Sequence, residues 1–383
     1  MRKLSVLPVF LLLLSLLPCP GQAAALQVGG KSAVLMEAAT GTILFEQNAH
    51  EPLAPASVTK VMTMLLIMEA IDSGTIGWND TVTTSEAAAA KGGSQVYLKV
   101  GETMTVTDML KSIAVSSAND CACAMAEHIA GSEAAFVERM NVRARELGMN
   151  DTHFVNCTGL DDSEEAKNHR TSAHDIAVMS RQLLVNHPDI KKFTTIWMDS
   201  VRNGAFGLSN TNKMIRFYDG ATGLKTGFTS GAGYCLSASA LREGMELIAV
   251  VMGADSSQIR FQSCKAMLDH GFASYALIQP DLCEAGEVPV TLGRAFSVQP
   301  RMGGSATVLL DKNQRSSVTT DIQLEPSLPA PISQGQRIGT MTVRAGEQIL
   351  KEIPLVAAEG VERLTYGDIF LRVLRRTAMA SAL

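Results

Sequence analysis

The chain has 383 residues, 46% of them hydrophobic and 19% charged, with a formal net charge of −5. That length suits two domains or one large one, and the apolar fraction excludes a globally disordered chain. A mild acid excess with no block of Lys and Arg gives no support for a nucleic-acid partner.

Met1-Arg2-Lys3 is basic, Leu4 to Leu17 is an apolar run, and Ala23-Ala24-Ala25 supplies small residues for cleavage. Residues 1–25 therefore read as a secretory signal peptide, too short to span a bilayer. A retained membrane anchor is the alternative. Cys19 raises lipidation, but Leu17-Pro18 before it fits such a site poorly. The remainder is expected to be exported and to act outside the cytoplasm.

Ser32 to Met36 reads as a strand, Glu37 to Gly41 as a turn, and Thr42 to Phe45 as the hairpin partner. Ala56 to Gly74 is apolar-periodic and opens after Pro55, which predicts a long helix. Glu86 to Lys91, Val106 to Ala118, Asp120 to Gly131, Glu133 to Gly148 and Ser172 to Asn186 follow as helices. From Gly223 to Gly253 the pattern is β-rich, with runs at Tyr234 to Ser239 and Glu246 to Val251; Gln258 to Leu277 returns to helix. Strands flanking a helical middle suit an α+β fold, an antiparallel sheet built from both ends of one domain over residues 26–281. Residues 282–363 hold short runs at Val288 to Leu292, Thr307 to Leu310, Ile322 to Leu324, Arg337 to Val343 and Ile349 to Pro354, which predict a small C-terminal β-sandwich. In the tail, 364–383, Ile369, Phe370, Val373 and Leu374 recur at helical spacing opposite Arg372, Arg375 and Arg376. Such a segment lies in a membrane interface as a helix, caps the β-domain, or is a frayed tail.

Cys121, Cys123, Cys157, Cys235, Cys264 and Cys283 follow the leader. Their even number permits disulfides outside the cell, while buried free thiols suit a chain this long as well. No CxxC pair occurs and the histidines do not cluster, so neither a metal site nor a cofactor is expected.

Three short motifs carry the chemistry. In Ser57-Val58-Thr59-Lys60, residues three apart share a helical face, so hydroxyl and amine can meet. A serine needs a neighbouring base, and a lysine serves as one only when desolvation or a nearby positive charge lowers its pKa. The apolar flank Val61 to Leu66 can supply the desolvation. Ser117-Ala118-Asn119 places a hydroxyl and an amide on a short turn, and Lys225-Thr226-Gly227 offers a cation, a hydroxyl and a close backbone approach. Taken singly, these read as an ordinary helix start, a helix cap and an exposed strand lysine.

Together, in this order, they resemble the signature of penicillin-binding proteins and class A β-lactamases. The similarity is closest to the serine-type D-alanyl-D-alanine carboxypeptidases, the low-molecular-mass penicillin-binding proteins. It is carried by Pro55 to Lys60, Ser117 to Asp120, Gly159-Leu160-Asp161, Asp219 with Lys225 to Tyr234, and Gln258 to Phe261. The resemblance implies a penicillin-binding protein/β-lactamase-like catalytic domain acting on peptidoglycan stem peptides, with β-lactam antibiotics as covalent inhibitors. It implies Ser57 as nucleophile, Lys60 as base and Ser117 as proton relay. Asn119 would hold the peptide amide. Lys225 would keep Lys60 neutral by repulsion and bind the terminal carboxylate with Thr226. Gly227 would admit the substrate backbone, the N–H groups of Ser57 and Phe228 would form an oxyanion hole, and Arg260 would lie near the substrate carboxylate.

Thr158 and Phe228 stand where the family often has His. Two rivals remain. Glu164 to Asn168 contains a Glu-x-x-x-Asn spacing similar to the deacylation loop of class A β-lactamases. A non-catalytic wall-binding protein of the same fold is the other, and a structural salt bridge is the rival role for Arg260.

Overall fold

The computed structural model describes residues 26–282 and 285–380; the expected signal peptide and Cys283 lie outside the described residues. Strands β1 (Ser32–Glu37) and β2 (Ile43–Gln47) come from the N-terminal end. Strands β3 (Ala221–Thr229), β4 (Gly233–Arg242) and β5 (Met245–Ala254) come from the far end of the same domain. They form one antiparallel sheet in the order β2-β1-β5-β4-β3, with β1 seated against β5 (Ser32 opposite Met252).

The sheet is covered on both faces, so β1 and β5 are buried along their whole length. Alternate residues face opposite ways. Val34, Met36, Ile248, Val250 and Met252 pack into the helical cluster, while Ala33, Leu35, Leu247, Ala249 and Val251 pack under α6 (Ser257–Ser274). At the middle of the cluster is α1 (Lys60–Asp72), buried on nearly every side. Around it stand α2 (Val106–Ser116), α3 (Asn119–Ala130), α4 (Glu133–Glu146) and α5 (Ala173–Asn186). Side chains of Thr105, Ser132, Ser172 and Ser256 accept a first-turn N–H and so fix where α2, α4, α5 and α6 start. Cys121, Cys123, Cys157, Cys235 and Cys264 are buried free thiols.

Two predicted helices are corrected. The helix expected from Ala56 opens instead as a 3-10 turn, Ala56–Thr59, and becomes α-helical only at Lys60. Ala56 has φ 48, and an ideal Cβ on Gly159 would sit 1.8 Å from its carbonyl, so the chain is pinned there from outside the helix. The helix expected to reach Leu277 ends at Ser274; Tyr275–Ile278 is a strand paired with Val308–Asp311. Its partner lies far along the chain, where a local pattern does not see it.

The C-terminal part is a β-sandwich. One sheet has four antiparallel strands, Pro300–Met302, Gln348–Ala357, Arg337–Ala345 and Val318–Leu324 in spatial order. The other has three, Ser297–Val298, Val288–Thr291 and Leu328–Pro329, the last pair parallel. Helix α7 (Tyr366–Ala380) closes the described chain.

Candidate active site

Three pieces of chain meet where β3 passes the start of α1. Ser57 is half-buried on the 3-10 turn. In a 3-10 turn side chains three apart eclipse one another. Lys60 Nζ donates to Ser57 Oγ at 3.0 Å and to the Thr158 carbonyl at 2.8 Å. The second bond uses main chain, so threonine at 158 leaves it intact.

Lys60 is fully buried, and burial draws its pKa down to about 7 against weaker upward pulls from Cys157 and Asp120. Desolvation, the cause expected from the apolar flank Val61 to Leu66, comes first in making Lys60 a usable base. Lys225 is also buried and donates to the Thr226 carbonyl at 2.9 Å. Burial first, then the charges of Lys60 and Arg260, hold its pKa well below the usual lysine range.

Ser117 follows α2 in a left-handed conformation, φ 63, which turns the chain into α3. Asn119 donates through Nδ2 to the Gly92 carbonyl at 2.7 Å and through its backbone N–H to Ser94 at 2.7 Å. Ser117 Oγ and Asn119 Oδ1 are buried without a partner, as is Arg260 Nε. Such groups cost about 1–3 kcal/mol each. At a cleft, a bound ligand can satisfy them.

On the facing strand, an ideal Cβ at Gly227 would lie 2.6 Å from the Pro55 carbonyl and 3.1 Å from Ser57 N. Only a glycine lets β3 come this close to the serine turn. Thr226 Oγ1 donates to Thr211 Oγ1 at 2.7 Å. Phe228 is 54% exposed, with its ring 4.3 Å from that of Tyr234. Arg260 makes no salt bridge among the described residues. Its Nη1 donates to the carbonyls of Gly227 at 2.7 Å and Cys235 at 3.2 Å, so it braces the strand that carries the third motif.

The structure thus brings Lys60 and Gly227 against Ser57, with Lys225 and Thr226 on the same strand as Gly227 and Arg260 bonded to that strand, while Ser117 and Asn119 stand at the turn that holds the segment Gly92 to Ser94. The sequence did not single out His169. Its Nδ1 accepts from Val155 N at 3.1 Å and its Nε2 meets Thr59 Oγ1 at 2.8 Å; Thr59 in turn donates to the Ala56 carbonyl at 2.8 Å. This chain ties the turn carrying Ser57 to a distant loop. Burial lowers the His169 pKa to about 4, which keeps the ring neutral and its acceptor nitrogen available. The Glu-x-x-x-Asn spacing, in contrast, lies outside the site: Glu164 is 84% exposed and pairs with Lys167.

A nucleophile bonded to a buried amine can transfer an acyl group through a serine ester. A family model described as D-alanyl-D-alanine carboxypeptidase matches residues 20–256, and one described as penicillin-binding protein 5, C-terminal domain, matches residues 284–363. The chain is 42% identical to the D-alanyl-D-alanine carboxypeptidase DacF of Bacillus subtilis, over 91% of this chain and 88% of that protein. Its fold is similar to penicillin binding protein 5 from Haemophilus influenzae, with a TM-score of 0.76 at 30% identity, covering 88% of this chain and 98% of that one. It is also similar to penicillin-binding protein D2 from Listeria monocytogenes in the ampicillin-bound form, with a TM-score of 0.59 at 30% identity, over 64% of this chain and 99% of the other.

Proposed function

The chain belongs to the D-alanyl-D-alanine carboxypeptidase family, and on that footing we propose how its own residues perform the reaction. It is a penicillin-sensitive, serine-type D-Ala-D-Ala carboxypeptidase that removes the terminal D-alanine from peptidoglycan stem pentapeptides. Ser57 Oγ attacks the carbonyl joining the two D-alanines while neutral Lys60 takes its proton. The backbone N–H groups of Ser57 and Phe228 receive the developing oxyanion. Ser117 passes a proton to the departing amine, and the C–N bond breaks to leave an ester on Ser57 and free D-alanine. Water then attacks the ester, and the returned proton restores the serine. Asn119 holds the peptide amide, Lys225 and Thr226 receive the terminal carboxylate, and Arg260 keeps Gly227 and its strand in place for both.

The observation that carries this reading is the 3.0 Å bond between a fully buried Lys60 and a solvent-reachable Ser57. Ser57→Ala is expected to abolish both labelling by fluorescent penicillin and D-alanine release from a synthetic stem pentapeptide. Retained labelling would show another nucleophile. The class A β-lactamase alternative is disfavoured by the position of Glu164, which is exposed and ion-paired to its own loop.

The domain limits follow the same proposal: signal peptide 1–25, catalytic domain 26–281, β-domain 282–363 and tail 364–383. The enzyme works outside the cytoplasm after export. No helix among the described residues is long and apolar enough to cross a membrane. Helix α7 instead lies in the membrane interface, an assignment supported by the exposure of Phe370, Leu371, Val373 and Leu374 beside Arg372 and Arg375.

A further inference from the structure

Leu53 pairs with Thr171 and His153 with Arg170, each through antiparallel main-chain bonds. Residues 169–171 are therefore fixed between two stretches of chain that serve the site. One runs from Leu53 through Pro55 into the Ser57 turn. The other runs from His153 through Val155 to Thr158, whose carbonyl receives Lys60 at 2.8 Å. His169 stands at the start of this bridge, 4% exposed, with the ring of Phe154 edge-on at 5.6 Å.

The neighbours of the ring fix where its proton sits. A backbone N–H only donates, so Nδ1, which receives the Val155 N–H at 3.1 Å, carries no proton. In the neutral ring the proton is then on Nε2, which donates to Thr59 Oγ1 at 2.8 Å. The Thr59 hydroxyl proton in turn goes to the Ala56 carbonyl at 2.8 Å. Each donor has one acceptor. Burial, then the neighbouring His153 and Lys60, oppose a charge on the ring, and a second ring proton would face the Val155 N–H. The far end of this chain of bonds meets the Lys60 loop again. Ala56 is held at φ 48, and an ideal Cβ on Gly159 would fall 1.8 Å from its carbonyl and 2.7 Å from Thr59 Oγ1. Gly159 and Thr158 both donate their N–H groups to Asn156 Oδ1, at 2.7 Å and 3.2 Å.

We propose that His169 is a positioning residue for acylation: its neutral, Nε2-protonated ring sets the Ser57 turn against the loop that anchors Lys60, and so fixes the separation of nucleophile and base. This rests on the reading above, in which Ser57 attacks and Lys60 takes its proton. The ring touches neither group. It acts through Thr59 and Ala56 on one side and through Val155 on the other, and the 3.0 Å bond between Lys60 and Ser57 depends on both sides holding. The bond to Thr59 bears on the serine, whereas the bond to Val155 secures the loop. Replacing the ring leaves the main-chain pairs of Thr171 and Arg170 in place, so the fold does not depend on it.

The test reads the ring and the rate separately. Long-range 1H–15N NMR of the histidine-labelled protein at pH 7, with His169 identified by its absence from the His169→Gln spectrum, is expected to show an unprotonated Nδ1 and a protonated Nε2. The opposite tautomer or a charged ring overturns the proposal. The rate is the acylation rate constant of the folded protein with fluorescent penicillin. His169→Leu and Thr59→Val are each expected to lower it about ten- to a hundredfold. The double variant should stay within about twofold of the slower single one, because both remove the same chain of bonds. His169→Gln, whose amide reaches as far as Nε2, should remain within about threefold of wild type, while His169→Asn, which reaches only as far as Nδ1, should fall with His169→Leu. A merely structural histidine would lower the melting temperature of the Gln and Asn variants alike and leave acylation by the folded fraction unchanged. Full-rate acylation in Thr59→Val, or a Gln variant as slow as the Asn variant, overturns the proposal. Should His169→Leu fail to fold, Thr59→Val and the Gln–Asn comparison decide it. Failure of the underlying reading looks different: labelling then survives Ser57→Ala, whatever the His169 and Thr59 variants do.

Discussion

A lysine acts as a base near neutral pH only where its ammonium loses more by burial than it gains from its neighbours. Lys60 meets that condition: it is wholly buried, and the nearest upward influences, Cys157 and Asp120, do not offset desolvation. Only its neutral form can take the Ser57 proton, and a pKa near 7 means that form accumulates as pH rises through 7. The rate of acylation by a penicillin is therefore expected to climb about tenfold per pH unit below pH 7 and to level off above it, as followed by stopped-flow fluorescence at constant ionic strength. A flat profile from pH 5 to 8 would remove Lys60 as the base. At this scale the sequence was informative for Ser57, Lys60, Ser117 and Lys225, because the three motifs together are specific. It was silent on His169, whose part depends on Val155 and Thr59, residues that only the folded chain brings to its two nitrogens.

Among the elements, the decisive contact is between β3 and the 3-10 turn ahead of α1. Gly227 faces the Pro55 carbonyl and Ser57 N so closely that a methyl group has no room. Gly227→Ala is expected to push the strand away from the serine and lower the acylation rate constant by about a hundredfold, the scale of loss an ångström of misplacement produces. Arg260 should be unable to compensate, since it braces the same residue's carbonyl at 2.7 Å. Titration with fluorescent penicillin measures this, and an unchanged constant would show that the close approach is dispensable. The helices were legible through periodicity and caps. The 3-10 turn and the strand Tyr275–Ile278 were not, because each is imposed by a partner distant in sequence, Gly159 in one case and Val308–Asp311 in the other.

For the whole molecule, the catalytic domain and the β-sandwich are joined by that strand pair and by Lys312, which donates to the Phe272 carbonyl at 2.7 Å. The tail is tied to the sandwich: Arg294 pairs with Glu362 and Asp368, and Arg372 donates to the Arg294 carbonyl at 2.6 Å while covering Phe296. Phe370→Asp with Leu374→Asp is expected to weaken co-sedimentation with anionic phospholipid vesicles at least tenfold. D-alanine release from a soluble peptide should stay unchanged, because the cleft lies in the other domain. Vesicle binding equal to wild type would assign α7 to the β-domain alone. The order of the three motifs, the succession of strands around helices and the amphipathic tail are properties of the chain read in line, and those by themselves determined the family and the fold class and marked the candidate site residues. What only the tertiary structure decided is how those residues become reactive. Burial of Lys60 beneath the Thr158 carbonyl and the pinning of Ala56 by Gly159 each come from atoms far away in sequence. Desolvation and backbone strain are properties of surroundings, and the surroundings exist only once the chain has closed on itself.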